Sequence, residues 1–236
     1  MTTSHEAGVQ DPAAGRDAGS QRVRPDQRRP VIAVVPLRGG GAGKTRLADE
    51  LGPAERTRLV ATLAGHVLGA LLAGPVARVL VVTGDPEFAA GVMGSDRRVR
   101  VVPQPGGRPG LNEAVAVGQE LALEAGARRV LVAHADLPLL TAEDVGALLA
   151  PAGRVVVAPD RSGTGTNALV LDGSVSGFRF RFGPGSREAH EREARRLGVV
   201  PDVVLRAGTS TDLDTAADWA ALPEAVRTAL RRAVEG

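Results

Sequence analysis

The chain has no cysteine, no tyrosine, one tryptophan, four phenylalanines and a single lysine. Without cysteine there is no disulfide, no thiolate metal ligand and no cysteine nucleophile. With so few aromatics the core has to be built from Ala, Val and Leu, and the platforms on which single-stranded nucleic acid stacks are missing. The formal net charge is only +2, which also argues against a nucleic-acid partner. The sequence pI of about 10.2 reflects the lack of Cys and Tyr to titrate between His and Arg, not a basic surface. No apolar run reaches the roughly 20 residues that cross a bilayer, so no membrane partner is expected. Residues 1–29 are polar and lack the apolar segment of a signal peptide; they read as a disordered tail, and the compartment as the cytoplasm.

Against these absences stands Lys44, the one lysine among 29 Lys and Arg residues. It ends the run Gly39-Gly40-Gly41-Ala42-Gly43-Lys44, directly after the apolar stretch Val31–Val35 and its extension to Arg38. Arginine serves wherever a positive charge suffices, and one compact ammonium is kept at a glycine-rich loop. An ammonium inserts between phosphate oxygens as a point charge, where a planar guanidinium needs more room.

The roughly 205 residues after the tail are enough for one substantial core. Val-rich runs of strand length alternate with helical patterns. Strands are expected at Val31–Val35, Arg78–Thr83, Val99–Val102, Val130–His134, Val155–Ala158, Ala168–Leu171 and Val203–Leu205. Helices are expected at Ala54–Leu72, Pro86–Met93, Asn112–Glu124, Ala142–Leu149, Ser186–Leu197 and Thr215–Ala221. Continuously apolar strands are those covered on both faces. The alternation predicts an α/β three-layer sandwich with a mostly parallel sheet, spanning 30–222, and a peripheral amphipathic helix in 223–236. Ligands of such sheets bind at the carboxyl ends of the strands, so the loops 36–46, 103–112, 135–140 and 159–167 carry the interest.

The glycine loop nearly matches G-x-x-x-x-G-K-[ST], but five residues before Gly43 stands Arg38, not glycine. A P-loop NTPase and a plain solvated turn remain open readings. In the third reading, backbone N–H groups of the glycines, including Gly41 and Gly43, face an anion, and the following helix adds its positive end. Arg38, Lys44 and Arg46 would then surround a triphosphate, as suits phosphoryl or nucleotidyl transfer.

Asp136, in His134-Ala135-Asp136-Leu137-Pro138, is a strand-end carboxylate on a loop stiffened by proline, suited to Mg2+ or simply to a turn. Asp212 and Asp214 would lie on one side of an extended segment, as a second metal ligand or as a helix cap. His134 reads as a structural histidine, and His66, His134 and His190 form no metal cluster. Thr166, in Gly163-Thr164-Gly165-Thr166-Asn167, offers a hydroxyl among small residues. In Phe182-Gly183-Pro184-Gly185-Ser186, Ser186 is expected to cap a helix so that its hydroxyl and the first free N–H groups face an anion.

In this order, the segments Ala42–Ala48, Gly110-Leu111-Asn112, His134–Pro138, Asp160–Asn167, Phe182–Ser186 and Asp212–Thr215 resemble the phosphoenolpyruvate / 2-phospho-L-lactate guanylyltransferases of deazaflavin coenzyme F-420 biosynthesis, over residues 31–222. The resemblance implies a Rossmann-like nucleotidyltransferase fold of the molybdopterin-guanine-dinucleotide-synthase type, with GTP and Mg2+. The phosphate of a small phosphorylated acid would attack the α-phosphorus of GTP and diphosphate would leave. By resemblance, Thr166, Gly183 and Ser186 bind phosphoenolpyruvate. Asp136 and Asp214 hold Mg2+ beside Asp212. Arg38, Lys44 and Arg46 are the catalytic grip on the triphosphate, and the nucleotide-binding set is Gly41, Gly43, Lys44, Gly110 and Asn112, with Asn112 by the nucleoside. The family usually carries small residues other than glycine ahead of the lysine, and often a second lysine where Arg38 stands. The competing readings are another nucleotidyl- or sugar-nucleotide transferase of the same fold, and a P-loop-like NTPase. The Arg-rich, Lys-poor composition suggests a GC-rich bacterial source, and for such members the resemblance implies phosphoenolpyruvate over 2-phospholactate.

Overall fold

Along the first strand, alternate residues serve two different cores. The strand, β1 (Val31–Leu37), directs Val31, Ala33 and Val35 into one apolar cluster and Ile32 and Val34 into another. A strand buried on both faces has no polar side, which is why the sequence there is an unbroken apolar run. The computed structural model describes residues 1–2, 30–39 and 44–235. Nearly all of the tail read at 1–29 therefore falls outside the described residues, and so do Gly41 and Gly43.

After β1 come a short 3-10 turn (Thr45–Leu47), α1 (Pro53–Ala73), β2 (Arg78–Thr83), α2 (Pro86–Met93), β3 (Val99–Pro103), α3 (Leu111–Glu124), β4 (Arg129–Ala133) and α4 (Ala142–Leu149). Then follow β5 (Val155–Pro159), β6 (Thr166–Asp172), α5 (Ser186–Arg196), β7 (Asp202–Val203), α6 (Ala207–Ser210), α7 (Ala216–Ala221) and α8 (Glu224–Glu235). The sheet has seven strands in the order β3-β2-β1-β4-β6-β5-β7. Only β6 runs against its neighbours, β4 and β5. Helices α1, α2 and α4 cover one face, and α3 and α5 the other. This is the three-layer, mostly parallel sandwich read from the alternation. The last strand is Asp202–Val203 rather than Val203–Leu205, and α6 lies where no helix is expected; with four residues it is too short to carry a period.

One close approach shapes the layer above β1. A Cβ at Gly118 of α3 would overlap Val34 and press on Val82, so the glycine lets α3 lie directly on the sheet. A third apolar cluster, smaller, joins α1 (Leu59, Leu63), α8 (Leu230, Val234) and two residues beside the loops of interest, Leu47 and Leu213.

Candidate active site

Strand order brings the loops together. β1 and β4 are parallel neighbours, with Val34 beside Val132, so the loops that follow them, carrying Lys44 and Asp136, emerge side by side. Because β6 is antiparallel to β4, its first residues, Thr166 and Asn167, start at that same edge, and the His134 N–H donates to the Asn167 carbonyl at 3.0 Å. The Asp212–Asp214 segment is docked by the Leu213 N–H, which donates to the Asp136 carbonyl at 3.1 Å. Fully buried Leu47 and Leu213 pin the lysine loop and the aspartate segment to one apolar base.

Lys44 Nζ lies 2.5 Å from Asp136 Oδ2 and 2.6 Å from Asp214 Oδ1. Its backbone has φ 55°, the one non-glycine residue with positive φ among those described. An L-residue is held in that left-handed region only where its surroundings demand it, a frequent mark of functional sites. Burial works against the ammonium, but the charges of Asp136 and Asp214 outweigh it and lift the Lys44 pKa above its ordinary 10.5. Burial likewise favours the neutral acid of Asp136, but Lys44 and then His134 outweigh it and hold the carboxyl below its ordinary 3.8. Burial raises the Asp212 carboxyl; a bond from Asn167 (3.2 Å) opposes this, and the charges of Asp136 and Asp214 add to the rise.

The signs fix a pH window. The depressed Asp136 value contributes stability that is present above pH 3.8 and lost as the pH falls through the lower folded value. The raised Lys44 value contributes stability that is present below pH 10.5 and lost as the pH rises through the higher folded value. In metal-free buffer, the stability difference between wild type and Asp136→Asn, measured by urea unfolding, is expected to be constant from about pH 5 to 9 and to shrink below about pH 4. A difference that grows on acidification would contradict the ion pair.

A cavity of about 390 Å³ opens on this cluster. Arg38, Lys44, Arg46, His134, Asp136 and Asp214 line it, together with Leu111, which follows Gly110. Among the described residues, two of those lining it keep a buried polar atom without a hydrogen-bond partner: Asp136 Oδ1 and His134 Nε2. Buried polar atoms are nearly always paired, so both atoms have unused hydrogen-bonding capacity beside the cavity. Among the described residues no group of three His, Asp or Glu side chains is arranged to hold a metal. The pair Asp136 and Asp214 is a two-carboxylate set.

Thr166, Gly183 and Ser186 gather beside this cavity and not in its lining. The Arg187 N–H donates to the Thr164 carbonyl (3.0 Å), joining the β5–β6 loop to the start of α5. Gly183, at φ 129°, makes a turn closed to residues with a side chain, and its carbonyl accepts from the Ser186 N–H at 3.1 Å. The N-cap of α5 is Gly185, and Ser186 is the first helical residue. This corrects the capping expectation: Gly185 sits in the left-handed conformation that glycine favours, and the first two helical N–H groups are spent on Gly183 and Thr164 instead of standing free. Asn112 is also committed. Its Oδ1 accepts from the Phe182 N–H (2.7 Å) and its Nδ2 donates to the Phe182 carbonyl (3.2 Å), so it braces the Phe182–Ser186 loop from α3.

Two supporting residues escaped the sequence reading. Asp218 accepts from the N–H groups of Asp214 and Thr215 (3.1 and 2.9 Å) and from the Thr215 hydroxyl, while its other oxygen pairs with Arg161 at 2.6 Å. It fixes the backbone of Asp214 and ties it to the β5–β6 loop. The signal was a capping box, Thr215 with an acid three residues on. His190, fully buried, sits one turn after Ser186 on the same face of α5 and bonds to Thr166 (3.1 Å). The i, i+4 spacing places both on one face, but nothing in the sequence names Thr166 as the partner.

The model of the family described as "Guanylyl transferase CofC like" matches residues 31–223. The phosphoenolpyruvate guanylyltransferase of Sphaerobacter thermophilus is 40% identical over 191 residues, 80% of this chain and 90% of that protein. The 2-phospho-L-lactate guanylyltransferase of Methanothermobacter thermautotrophicus is 34% identical over 80% of this chain and 82% of its own length. Among solved structures, one from Desulfovibrio desulfuricans, provisionally named a nucleotide-diphospho-sugar transferase, superposes with TM-score 0.70 at 16% identity, covering 88% of this chain and 97% of that one. A nucleotidyl transferase from Methanothermobacter does so with TM-score 0.58 at 18% identity, covering 86% and 98%. At such identities the structural likeness speaks for the fold alone.

Proposed function

The chain belongs to the CofC-like guanylyl transferase family, and on that premise we propose that it transfers GMP from GTP to phosphoenolpyruvate, releasing diphosphate. The observation that carries the proposal is the cavity in which Arg38, Lys44 and Arg46 face the Asp136–Asp214 pair. The cations suit the anionic oxygens of a polyphosphate, and the carboxylates suit a hard divalent ion.

The orphaned Asp136 Oδ1 fits Mg2+. One oxygen of Asp136 holds Lys44, the other has no partner among the described residues, and Asp214 shares the same lysine, so the two carboxylates could hold a cation between them. Bound there, Mg2+ would neutralise charge on the phosphates during transfer. The chain's own residues do the rest. Lys44 places its ammonium by the nucleotide, oriented by two carboxylates, and Arg38 and Arg46 add charge from the exposed side. Thr166, Gly183 and Ser186 hold the acid. One of its phosphate oxygens attacks the α-phosphorus, a new P–O bond forms, the α–β bridging bond breaks, and diphosphate departs with the electron pair. The nucleophile is already anionic, so no general base is required; positioning and charge supply the rate. In the setting that the F-420 resemblance implies, the product is a guanylylated acid with a diphosphate bridge. The relatives matched include both acids' enzymes, and the lean to phosphoenolpyruvate rests on what the resemblance implies for members from GC-rich bacteria.

The purified protein with GTP is expected to release diphosphate only when phosphoenolpyruvate or 2-phospholactate is added, faster with the former. Orthophosphate released without either acid would favour an NTPase instead.

A further inference from the structure

The imidazole of His190 is buried, is not among the residues lining the cavity, and spends both its nitrogens on the loops that carry Thr166 and Gly183. Its Nε2 accepts from the Arg181 N–H at 2.9 Å, and its Nδ1 lies 3.1 Å from Thr166 Oγ1. The two bonds are not independent. An amide can only donate, so Nε2 carries a lone pair, and the proton of the neutral ring is on Nδ1. Nδ1–H then donates to Thr166 Oγ1, which has to accept. The threonine hydroxyl has one hydrogen, and with one lone pair engaged by the ring, that hydrogen is turned away from it.

We propose that His190 is a positioning residue: by donating from Nδ1 it compels the Thr166 hydroxyl to donate its own hydrogen to an anionic oxygen of the phosphorylated acid. The proposal rests on the reading of Thr166 as a ligand of that acid. It explains an otherwise odd choice at the start of β6, a threonine only 2% exposed. A buried hydroxyl free to choose would satisfy itself on the nearest acceptor, and binding would have to reverse that bond. A ring that can only donate toward Thr166 removes the alternative, and a chain of hydrogen bonds polarised in one direction strengthens its last donor. The same ring braces the glycine turn, because Arg181 is pinned by Nε2 and Phe182 by Asn112, leaving Gly183 to turn between fixed neighbours and Ser186. Burial, with a smaller effect from the charge of His134, pushes the His190 pKa down to about 4 against a weak pull from Glu193, so the ring stays neutral at working pH.

Two substitutions separate the bonds. In His190→Gln the side-chain carbonyl reaches the Nε2 position and can still accept from Arg181, but no donor faces Thr166. In His190→Asn the amide nitrogen sits near the Nδ1 position and can still donate to Thr166, while the Arg181 bond is lost. A bond to a charged acceptor is worth about 1.5–3 kcal/mol, so His190→Gln is expected to raise KM for phosphoenolpyruvate about tenfold or more and to leave KM for GTP within about twofold. His190→Asn is expected to recover most of that KM, although its Tm falls. Equal KM in the two variants, or KM values for both substrates rising together, would reduce His190 to a core residue. Thr166→Val is the control. If it raises KM for the acid while His190→Gln does not, the substrate site stands and the role of His190 falls. If it leaves KM unchanged, Thr166 is not a ligand and the proposal falls with it. Nitrogen-15 NMR of the wild-type ring needs no variant: a proton on Nδ1 is expected, and a proton on Nε2 would overturn the proposal.

Discussion

Lys44→Ala is expected to slow guanylyl transfer by about a thousandfold, the scale on which losing one preorganised charge-stabilising donor acts. Both carboxylates that orient the ammonium remain, so the loss reports on the charge proposed to meet the nucleotide. Removing one partner of a buried ion pair costs about 3–5 kcal/mol. Here the side chains of Asp136 and Asp214 are 24% and 46% exposed, so water takes over part of the compensation, and about 1–2 kcal/mol is expected. The variant should therefore remain folded at 25 °C. Mg2+ should raise its Tm more than that of wild type, because two carboxylates have lost their counter-cation. Lys44→Arg is the sharper comparison. It keeps the charge and loses the compact shape, on a backbone held at φ 55°, and should still cost about a hundredfold. Wild-type rates in Lys44→Arg would mean that the single lysine is a compositional accident.

Asp136→Asn is expected to lower turnover about a hundredfold or more, since charge stabilisation by a bound metal is worth several kcal/mol. The substitution keeps the volume and the bond geometry. It removes the charge that answers Lys44 and the oxygen that has no partner. Asp214 still holds Lys44 at one oxygen, so the loop stays in place. The readout apart from activity is thermal: Mg2+ should raise the Tm of wild type, and the shift should disappear in Asp136→Asn. A Tm shift of equal size in the variant would place the ion elsewhere.

These outcomes rest on features that the sequence exposed to different degrees. The strands were legible because each is a Val-rich run buried on both faces, and the edges of Arg78–Thr83 fall where the apolar run stops. The convergence of Lys44 and Asp136 followed from strand-end position, because both leave parallel strands at the same edge. What the sequence did not expose is partnership across the chain. The capping box hints that Asp218 holds the backbone beside Asp214, but nothing local reveals that it also pairs with Arg161, 57 positions away. Nothing local to Asn112 reveals that it is spent on Phe182, 70 positions away. The Ser186 cap missed by one residue because glycine and serine both suit a helix start, and only the backbone angle of Gly185 decides between them. The antiparallel insertion of β6, which starts Thr166 at the sheet edge where the cavity loops emerge, reads as one more apolar run until its neighbours are known.

The central claim is attack at the α-phosphorus of GTP by a phosphorylated acid, in the pocket organised by Lys44. The most direct measurement follows GTP labelled at the α- or the γ-phosphorus, with phosphoenolpyruvate and Mg2+ present. The account predicts that the α-label appears in a product with the combined mass of GMP and the acid, and that the γ-label leaves entirely as diphosphate. The γ-label released as orthophosphate, with the α-label remaining in GDP, would contradict it.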